Sequence, residues 1–307
     1  MKFGVFFSGQ GSQKPGMFKE LYDKYSEIRE AFKVAKNITG KDIAEICFYG
    51  TQGELNDTLN TQPCVLTCDI AAYKLLEKYG IVPYGVAGFS LGEFAALHAA
   101  GCLGLEDVFR IIQVRAEAMS NAVPNGEGAM AAVSMDRFDK IYEIIGDYLN
   151  KKIWVSNVNT NGQLVLSGYR YEINEVQKEF DKRGILFYIL PVSGAFHCEL
   201  MKPAYDELKV LLDEIEFSNA KVPVFSNYDG KPEINGQVLK EKALLQMTHT
   251  VLWKDTMLNM HDYGINVYIE CGPGKTMSNF LKRMNLDAVT LRINGSKTLK
   301  RTLEFVA

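Results

Sequence analysis

The pentad Gly88-Phe89-Ser90-Leu91-Gly92 constrains this chain more than any other stretch. It stands between the apolar run Gly85–Ala87 and a helix-like segment, Glu93–Ala100. A G-x-S-x-G set between a strand and a helix is the nucleophile-elbow pattern, a turn so sharp that only small residues fit on either side of the serine. It requires a strand to end and a helix to begin at one point, and it thrusts the hydroxyl out at the strand's carboxyl end. The following helix aims its N-terminus there, where backbone N–H groups can stabilise an oxyanion. The plain alternative is a glycine-rich turn that happens to contain a serine.

The rest of the chain suits the first reading. At 307 residues it can bury a full core, as one large domain or two smaller ones. A hydrophobic content of 47% with 23% charged residues is ordinary for a soluble globular protein. The formal charge of −3 argues against general nucleic-acid binding, but it is unevenly spread. From Lys275 to Ala307, seven basic residues face only Asp287 and Glu304, a net +5 that leaves −8 on the preceding 274 residues. A basic end on an acidic protein is either a docking surface for something anionic or a set of solvated helix faces.

The six cysteines form no C-x-x-C pair, and Cys64 and Cys68 have no partner cluster to complete a metal site. Reduced, buried thiols in a cytoplasmic protein are expected, with no metal and no cofactor. The apolar run Phe3–Phe7 is too short for a signal peptide. The window Val86–Leu105 is superficially like a membrane span, yet it contains Ser90, Glu93, His98 and four internal glycines. A buried helix after the elbow explains it better.

Patterning alternates strand and helix through the first third. Phe3–Phe7 reads as a buried strand, Gly9-Gln10-Gly11-Ser12-Gln13 as a glycine loop, and Pro63 as the opening of a helix with Val65, Leu66, Ile70, Ala71 and Leu75 on its apolar face. The helices after Ser90 end near Ala122, and Val123-Pro124-Asn125-Gly126 is a plausible hinge. Beyond it, Ala129–Ser134 reads as a strand and Asp136–Leu149 as a helix. Ile153–Asn159 and Gln163–Ser167 form a hairpin through Asn161-Gly162. A helix with Ile173, Val176 and Phe180 follows, then a strand at Ile185–Leu190. The order β-α-β-β-α-β is the ferredoxin-like arrangement. It is an insertion, because α/β patterning resumes with strands at Val222–Phe225 and Val267–Glu270. Gly274-Lys275-Thr276 lacks the first glycine of a phosphate loop, and Gly126-x-Gly128-x-x-Ala131 precedes a strand instead of following one.

A serine nucleophile needs a base, and there are four histidines. His98 lies eight residues beyond Ser90 on the elbow helix, about 12 Å along the axis, and cannot reach the hydroxyl. His249 and His261 lie in polar helical stretches and read as surface residues. His197 follows a strand and the turn Ser193-Gly194-Ala195-Phe196, where the chain leaves the insertion, and is placed to face a cleft. A hydrogen-bonded interdomain histidine is the alternative. Arg115, in Gln113-Val114-Arg115-Ala116-Glu117, either pairs with Glu117 or another acid, or clamps a substrate carboxylate with its planar fork.

Together the motifs reach a family. Gly9-Gln10-Gly11-Ser12-Gln13, the elbow followed by Glu93, Arg115 with Met119, Gly126-x-Gly128-x-Met130, Ala195-Phe196-His197, Gln246, Trp253 and Glu270-x-Gly272-Pro273-Gly274 occur in one order along the whole chain. In these it resembles the malonyl-CoA:acyl carrier protein transacylases. The resemblance implies an α/β-hydrolase-like core with a parallel sheet (residues 1-123 and 196-307) carrying the nucleophile, and an inserted ferredoxin-like (βαββαβ) small subdomain (residues 124-195). It implies ping-pong transfer of malonyl from malonyl-CoA to the pantetheine thiol of acyl carrier protein, with Ser90 as nucleophile and His197 as general base. It places the oxyanion hole at the N–H groups of Gln10 and Leu91, the malonyl carboxylate on Arg115, and the histidine-orienting carbonyl at Gln246. Phe196 resembles the malonyl-selective form of its motif, since a bulky ring crowds a 2-methyl branch.

The chain departs from the family at Phe89, usually His, at Ser8, often Pro, and at Thr250, commonly Pro. None removes a group the mechanism requires, though Phe89 makes the pocket floor more apolar. The competing readings are a stand-alone acyltransferase of a polyketide synthase, a serine thioesterase or esterase, and a non-catalytic module that binds a carrier protein. An esterase needs an acid between serine and histidine, for which Asp181 is the candidate, and usually an HGGG-type loop that is not visible. A binding module needs none of Ser90, His197 and Arg115.

Overall fold

The computed structural model describes residues 2–192 and 194–306. Ser193, in the turn expected before His197, lies outside them. Ten strands follow in chain order: β1 (Phe3–Phe7), β2 (Gly85–Gly88), β3 (Gly128–Ser134), β4 (Ile153–Thr160), β5 (Gln163–Tyr169), β6 (Leu186–Ile189), β7 (Val224–Phe225), β8 (Pro232–Glu233), β9 (Val267–Cys271) and β10 (Val289–Ile293). They form two sheets, a mixed α/β architecture.

The first sheet has the order β10-β9-β1-β2-β7-β8, parallel from β10 through β7, with β8 antiparallel at the edge. Its central strands are apolar runs covered on both faces, as parallel sheets require. Because β9, β1 and β2 are adjacent and parallel, the loops at their carboxyl ends converge. Those loops are Gly272-Pro273-Gly274, Gly9-Gln10-Gly11 and the Ser90 turn, which explains why three motifs far apart in sequence act as a set. The strand expected at Val222–Phe225 is confined to two residues.

The second sheet, β4-β5-β3-β6, is antiparallel throughout. Ile141, Ile145, Ile173, Val176 and Phe180 from its two helices pack on Ala131, Val133, Leu164 and Leu166 in a core of their own. The helix expected over Asp136–Leu149 is shorter, Phe138–Ile145, and the residues after it turn through Tyr148 and Leu149. The two sheets are tied where β4 is irregular, between Val155 and Asn157. There Val251 N–H donates to the Ser156 carbonyl, and the Val251 carbonyl accepts from Val158 N–H. Thr250, at the departure from proline, donates its hydroxyl to the Val155 carbonyl at 2.6 Å.

Pro63 does not open its helix. The helix runs Thr58–Lys78 with Asp57 as its N-cap, accepting from Leu59 N–H, and Pro63 lies one turn inside. A proline there leaves the carbonyl four residues back without its helical donor. That carbonyl, on Leu59, accepts from Lys41 Nζ at 2.8 Å instead. The helix is buried on nearly every side, not along one apolar face. The six cysteines are free and buried. No helix among the described residues is long and apolar enough to cross a membrane.

Candidate active site

Ser90 sits between β2 and the helix Gly92–Ala99, as the elbow pattern requires. Its flanking glycines are forced by contact. A Cβ on Gly88 would lie 1.9 Å from the Gly92 backbone, and one on Gly92 would lie 2.5 Å from the Ser8 carbonyl oxygen. Ser90 itself is left-handed, φ 54°, a conformation that costs a non-glycine residue about 1–3 kcal/mol and persists only where its surroundings fix it. Asn227, at the carboxyl end of the neighbouring β7, does the fixing. Its Oδ1 accepts the Ser90 N–H at 2.7 Å, and its Nδ2 donates to the Gly88 carbonyl at 2.7 Å.

The Ser90 hydroxyl lies 2.8 Å from His197 Nε2, and His197 Nδ1 lies 2.8 Å from the Gln246 carbonyl. A carbonyl only accepts, so Nδ1 carries the proton and Nε2 is left to accept from the serine. His197 is also left-handed, φ 56°. Burial, followed by the nearby Arg115 charge, pulls its ring down to about 3, against a smaller opposing effect of the Gln246 carbonyl. The imidazole is therefore neutral at physiological pH, which is the form a general base needs.

Arg115 is fully buried on the helix Leu105–Asn121. It does not pair with Glu117, and among the described residues no carboxylate lies within ion-pair distance of it. It donates to Gln62 Oε1 at 2.6 Å, to Gln246 Oε1 at 3.0 Å and to the Ser90 hydroxyl at 3.1 Å. Its Nε has no partner among the described residues. Burial pulls the guanidinium down to about 9, with Glu93 opposing, so it stays charged at neutral pH. A buried cation whose hydrogen bonds, among the described residues, go to neutral amides and a hydroxyl is poised to accept an anionic ligand.

These groups line a cavity of about 310 Å³ with Gln10, Phe89, Met119, Met130, Asn157, Phe196 and Phe280. Phe89 stands edge-on to Trp253, 5.4 Å between ring centroids, and tilts against Phe280, so the floor is apolar where the usual histidine is missing. Phe196 reaches its place because Gly194 has no side chain; a Cβ there would meet the ring at 2.3 Å. Among the described residues, neither the Gln10 nor the Leu91 backbone N–H has a hydrogen-bond acceptor. Asp181 is exposed on the helix Arg170–Lys182 and supplies nothing to His197. His98 is engaged by the Leu103 carbonyl at 3.0 Å. His249 is exposed in the turn after a helix, not within one, and His261 is half-buried on its own helix. No group of three or more His, Cys, Asp or Glu among the described residues is arranged to hold a metal ion.

Residues 5–291 match the family model for the acyl transferase domain. The chain is 35% identical to the malonyl CoA-acyl carrier protein transacylase of Bacillus subtilis, over 99% of this chain and 96% of that one. The chain belongs to the malonyl-CoA:acyl carrier protein transacylase family. The transacylase structure from Clostridium perfringens superposes with a TM-score of 0.93 at 32% identity, covering 100% of this chain and 97% of that one. A malonyl-transacylase solved in complex with a type II polyketide synthase acyl-carrier protein superposes with a TM-score of 0.95 at 30% identity, covering 99% of this chain and 100% of the other.

Around this site the structure adds residues to which sequence reasoning assigned no role. Gln62 comes from the buried helix Thr58–Lys78, Asn227 from the end of β7, and Glu93 turns inward from the elbow helix. Glu93 is fully buried, and burial pushes its carboxyl up to about 7 against the hydrogen bonds from Gln246 and Asn227. Only Glu93 adjoined a motif; Gln62 and Asn227 are recognisable once the strands and helices are packed.

Proposed function

We propose that this chain transfers the malonyl group of malonyl-CoA to the pantetheine thiol of acyl carrier protein through a malonyl-Ser90 intermediate, serving fatty acid synthesis. One observation carries the site assignment. The Ser90 hydroxyl bridges a neutral imidazole and a buried arginine that has no carboxylate of its own. Ser90 Oγ attacks the thioester carbonyl as its proton passes to His197 Nε2, and the Gln246 carbonyl steadies the imidazolium that forms. The N–H groups of Gln10 and Leu91 receive the oxyanion. Collapse expels the coenzyme A sulfur, which takes the proton from His197. In the second half-reaction the carrier thiol gives its proton to His197 and attacks the malonyl ester. The Ser90 oxygen leaves and recovers that proton.

Arg115 holds the malonyl carboxylate, and Phe196 walls the pocket against a branched acyl group. No cofactor takes part, and malonyl-CoA is substrate. We read the parallel sheet as an α/β-hydrolase-like core over residues 1-123 and 196-307. The second sheet, over 124-195, is read as an inserted ferredoxin-like subdomain, supported by its strand order and separate core. The setting is cytoplasmic. Transfer to water is disfavoured because His197 Nδ1 meets a carbonyl and not an acid. A polyketide carrier remains the second reading, favoured by the likeness to the transacylase solved with such a carrier.

The test is intact-mass measurement after brief mixing with malonyl-CoA. The chain should gain one malonyl group, Ser90→Ala should gain none, and adding acyl carrier protein should discharge it. A label that survives in Ser90→Ala overturns the assignment. Discharge by a polyketide carrier but not by a fatty-acid one decides for the second reading.

A further inference from the structure

Glu93 is a fully buried carboxyl group that none of the transfer steps uses. Its Oε2 accepts from Gln246 Nε2 at 2.5 Å and from the Asn227 backbone N–H at 3.2 Å, while Oε1 has no partner among the described residues. Both donors touch the reacting groups. Gln246 donates from the same Nε2 to the Ser90 carbonyl, accepts Arg115 Nη2 on Oε1, and accepts His197 Nδ1–H on its backbone carbonyl. Asn227 holds the Ser90 N–H and the Gly88 carbonyl through its side chain.

The Gln246 side-chain amide has two possible orientations, related by a half-turn. In one, its NH₂ faces Glu93 and its oxygen faces Arg115. In the other, NH₂ faces the guanidinium and oxygen faces the carboxyl group, donor against donor on one side. We propose that Glu93 is the positioning residue of this site: by accepting from Gln246 it selects the amide orientation that aims Arg115, and by accepting from Asn227 it braces the strained Ser90 turn. This rests on reading Ser90, His197 and Arg115 as nucleophile, base and carboxylate clamp. Glutamine at position 93 retains one oxygen able to accept both bonds, whereas alanine retains none.

The experiment compares kcat and KM for malonyl-CoA and acetyl-CoA in Glu93→Ala, Glu93→Gln and Gln246→Leu, with Ser90→Ala as the control on the underlying assignment. Glu93→Ala should lower kcat for malonyl about a hundredfold, the scale of roughly an ångström of misplacement, and its preference for malonyl over acetyl about tenfold. Glu93→Gln should stay within about tenfold of the native rate, with the preference intact. A folded Glu93→Ala with native rate and preference overturns the proposal, as does a Glu93→Gln as impaired as the alanine variant. Should Glu93→Ala fail to fold, Gln246→Leu decides, since it keeps the backbone carbonyl for His197. It should lose about tenfold in malonyl preference, and an unchanged preference overturns the proposal. Malonyl labelling of Ser90→Ala would instead defeat the assignment on which the proposal stands.

Discussion

Arg115 Nη2 rests 3.1 Å from the Ser90 hydroxyl, so the cation we propose as the clamp for the acyl carboxylate already lies on the proposed nucleophile before substrate arrives. Two roles follow for one side chain. On that reading it would stabilise negative charge developing on the serine oxygen and supply a counter-ion for a malonyl but not an acetyl group.

Arg115→Ala should therefore impair both substrates, and malonyl more. A charged hydrogen-bonded pair in a water-poor site is worth about 1.5–3 kcal/mol, so malonyl should lose roughly ten- to a hundredfold in kcat/KM beyond the acetyl loss. Lysine should restore only part, because it lacks the planar fork. Equal losses for the two thioesters would rule out the carboxylate clamp and leave Arg115 only the role common to both.

Acylation of Ser90 should show no acid limb centred near the usual histidine range. His197 is held down to about 3 by burial and the Arg115 charge, so lowering the pH from about 7.5 to about 5.5 leaves the base unprotonated. Glu93 takes up a proton over the same interval, but its unpartnered Oε1 can carry it without disturbing the bonds to Oε2. Rapid-quench rates of malonyl-serine formation measure this directly. A half-maximal rate at about 6.5 contradicts it.

Glu93 should make folding stability pH-dependent. Its folded-state pKa of about 7 is raised above the ordinary 4.5, so the folded chain takes up a proton that the unfolded chain releases. Its contribution is most favourable below 4.5 and is lost as the pH climbs through about 7. Glu93→Gln removes that loss, and should gain up to about 3 kcal/mol on the native chain between pH 5 and 8. Urea titrations at the two pH values test it, and an identical difference at both is the contrary result.

The elbow glycines should not tolerate a methyl group. Gly88→Ala places a carbon 1.9 Å from backbone, and should cost about 1–3 kcal/mol or more and depress Ser90 acylation with it. Gly53→Ala, whose nearest neighbour would be 3.8 Å away in a short helix, should leave the melting temperature unchanged or slightly higher. A native-like Gly88→Ala would mean that the turn is looser than its contacts indicate.

The basic end of the chain should serve the carrier protein. Lys275, Lys282 and Arg283 are exposed at the ends of the helix Thr276–Arg283, whose Thr276 and Phe280 line the cavity, and among the described residues none has an ion-pair partner. Charge reversal at Lys282 or Arg283 should slow discharge to the acidic carrier, more at low salt, and leave acylation by malonyl-CoA nearly unchanged. Equal slowing of both half-reactions would point to coenzyme A phosphates or to the fold.

Local pattern was enough for eight of the ten strands, the elbow, the hairpin at Asn161-Gly162 and the β-α-β-β-α-β order, because each rests on periodicity or turn chemistry within a few residues; the edge strands β8 and β10 were not read. Ser90 and His197 were legible for the same reason. One sits in a turn that only glycines permit, the other at the seam where one pattern gives way to another. Pro63 misled because its helix is held by burial on nearly every side and by Lys41 on the freed Leu59 carbonyl, a partner eighteen residues away.

What only the tertiary structure decided is the polar network beneath the serine. Gln62, Glu93, Arg115, Asn227 and Gln246 come from five separate segments; motifs marked Glu93, Arg115 and Gln246, but not the hydrogen bonds that join them to one another and to Gln62 and Asn227. Their meaning depends on the parallel order β9-β1-β2-β7, which gathers distant chain ends at one edge, and on burial, which makes every hydrogen bond there consequential. Sequence determines where a turn or a helix can form. Which carboxyl faces which amide in a water-poor interior is settled by packing, because only there does an unpaired polar atom cost enough to choose between two orientations of one side chain.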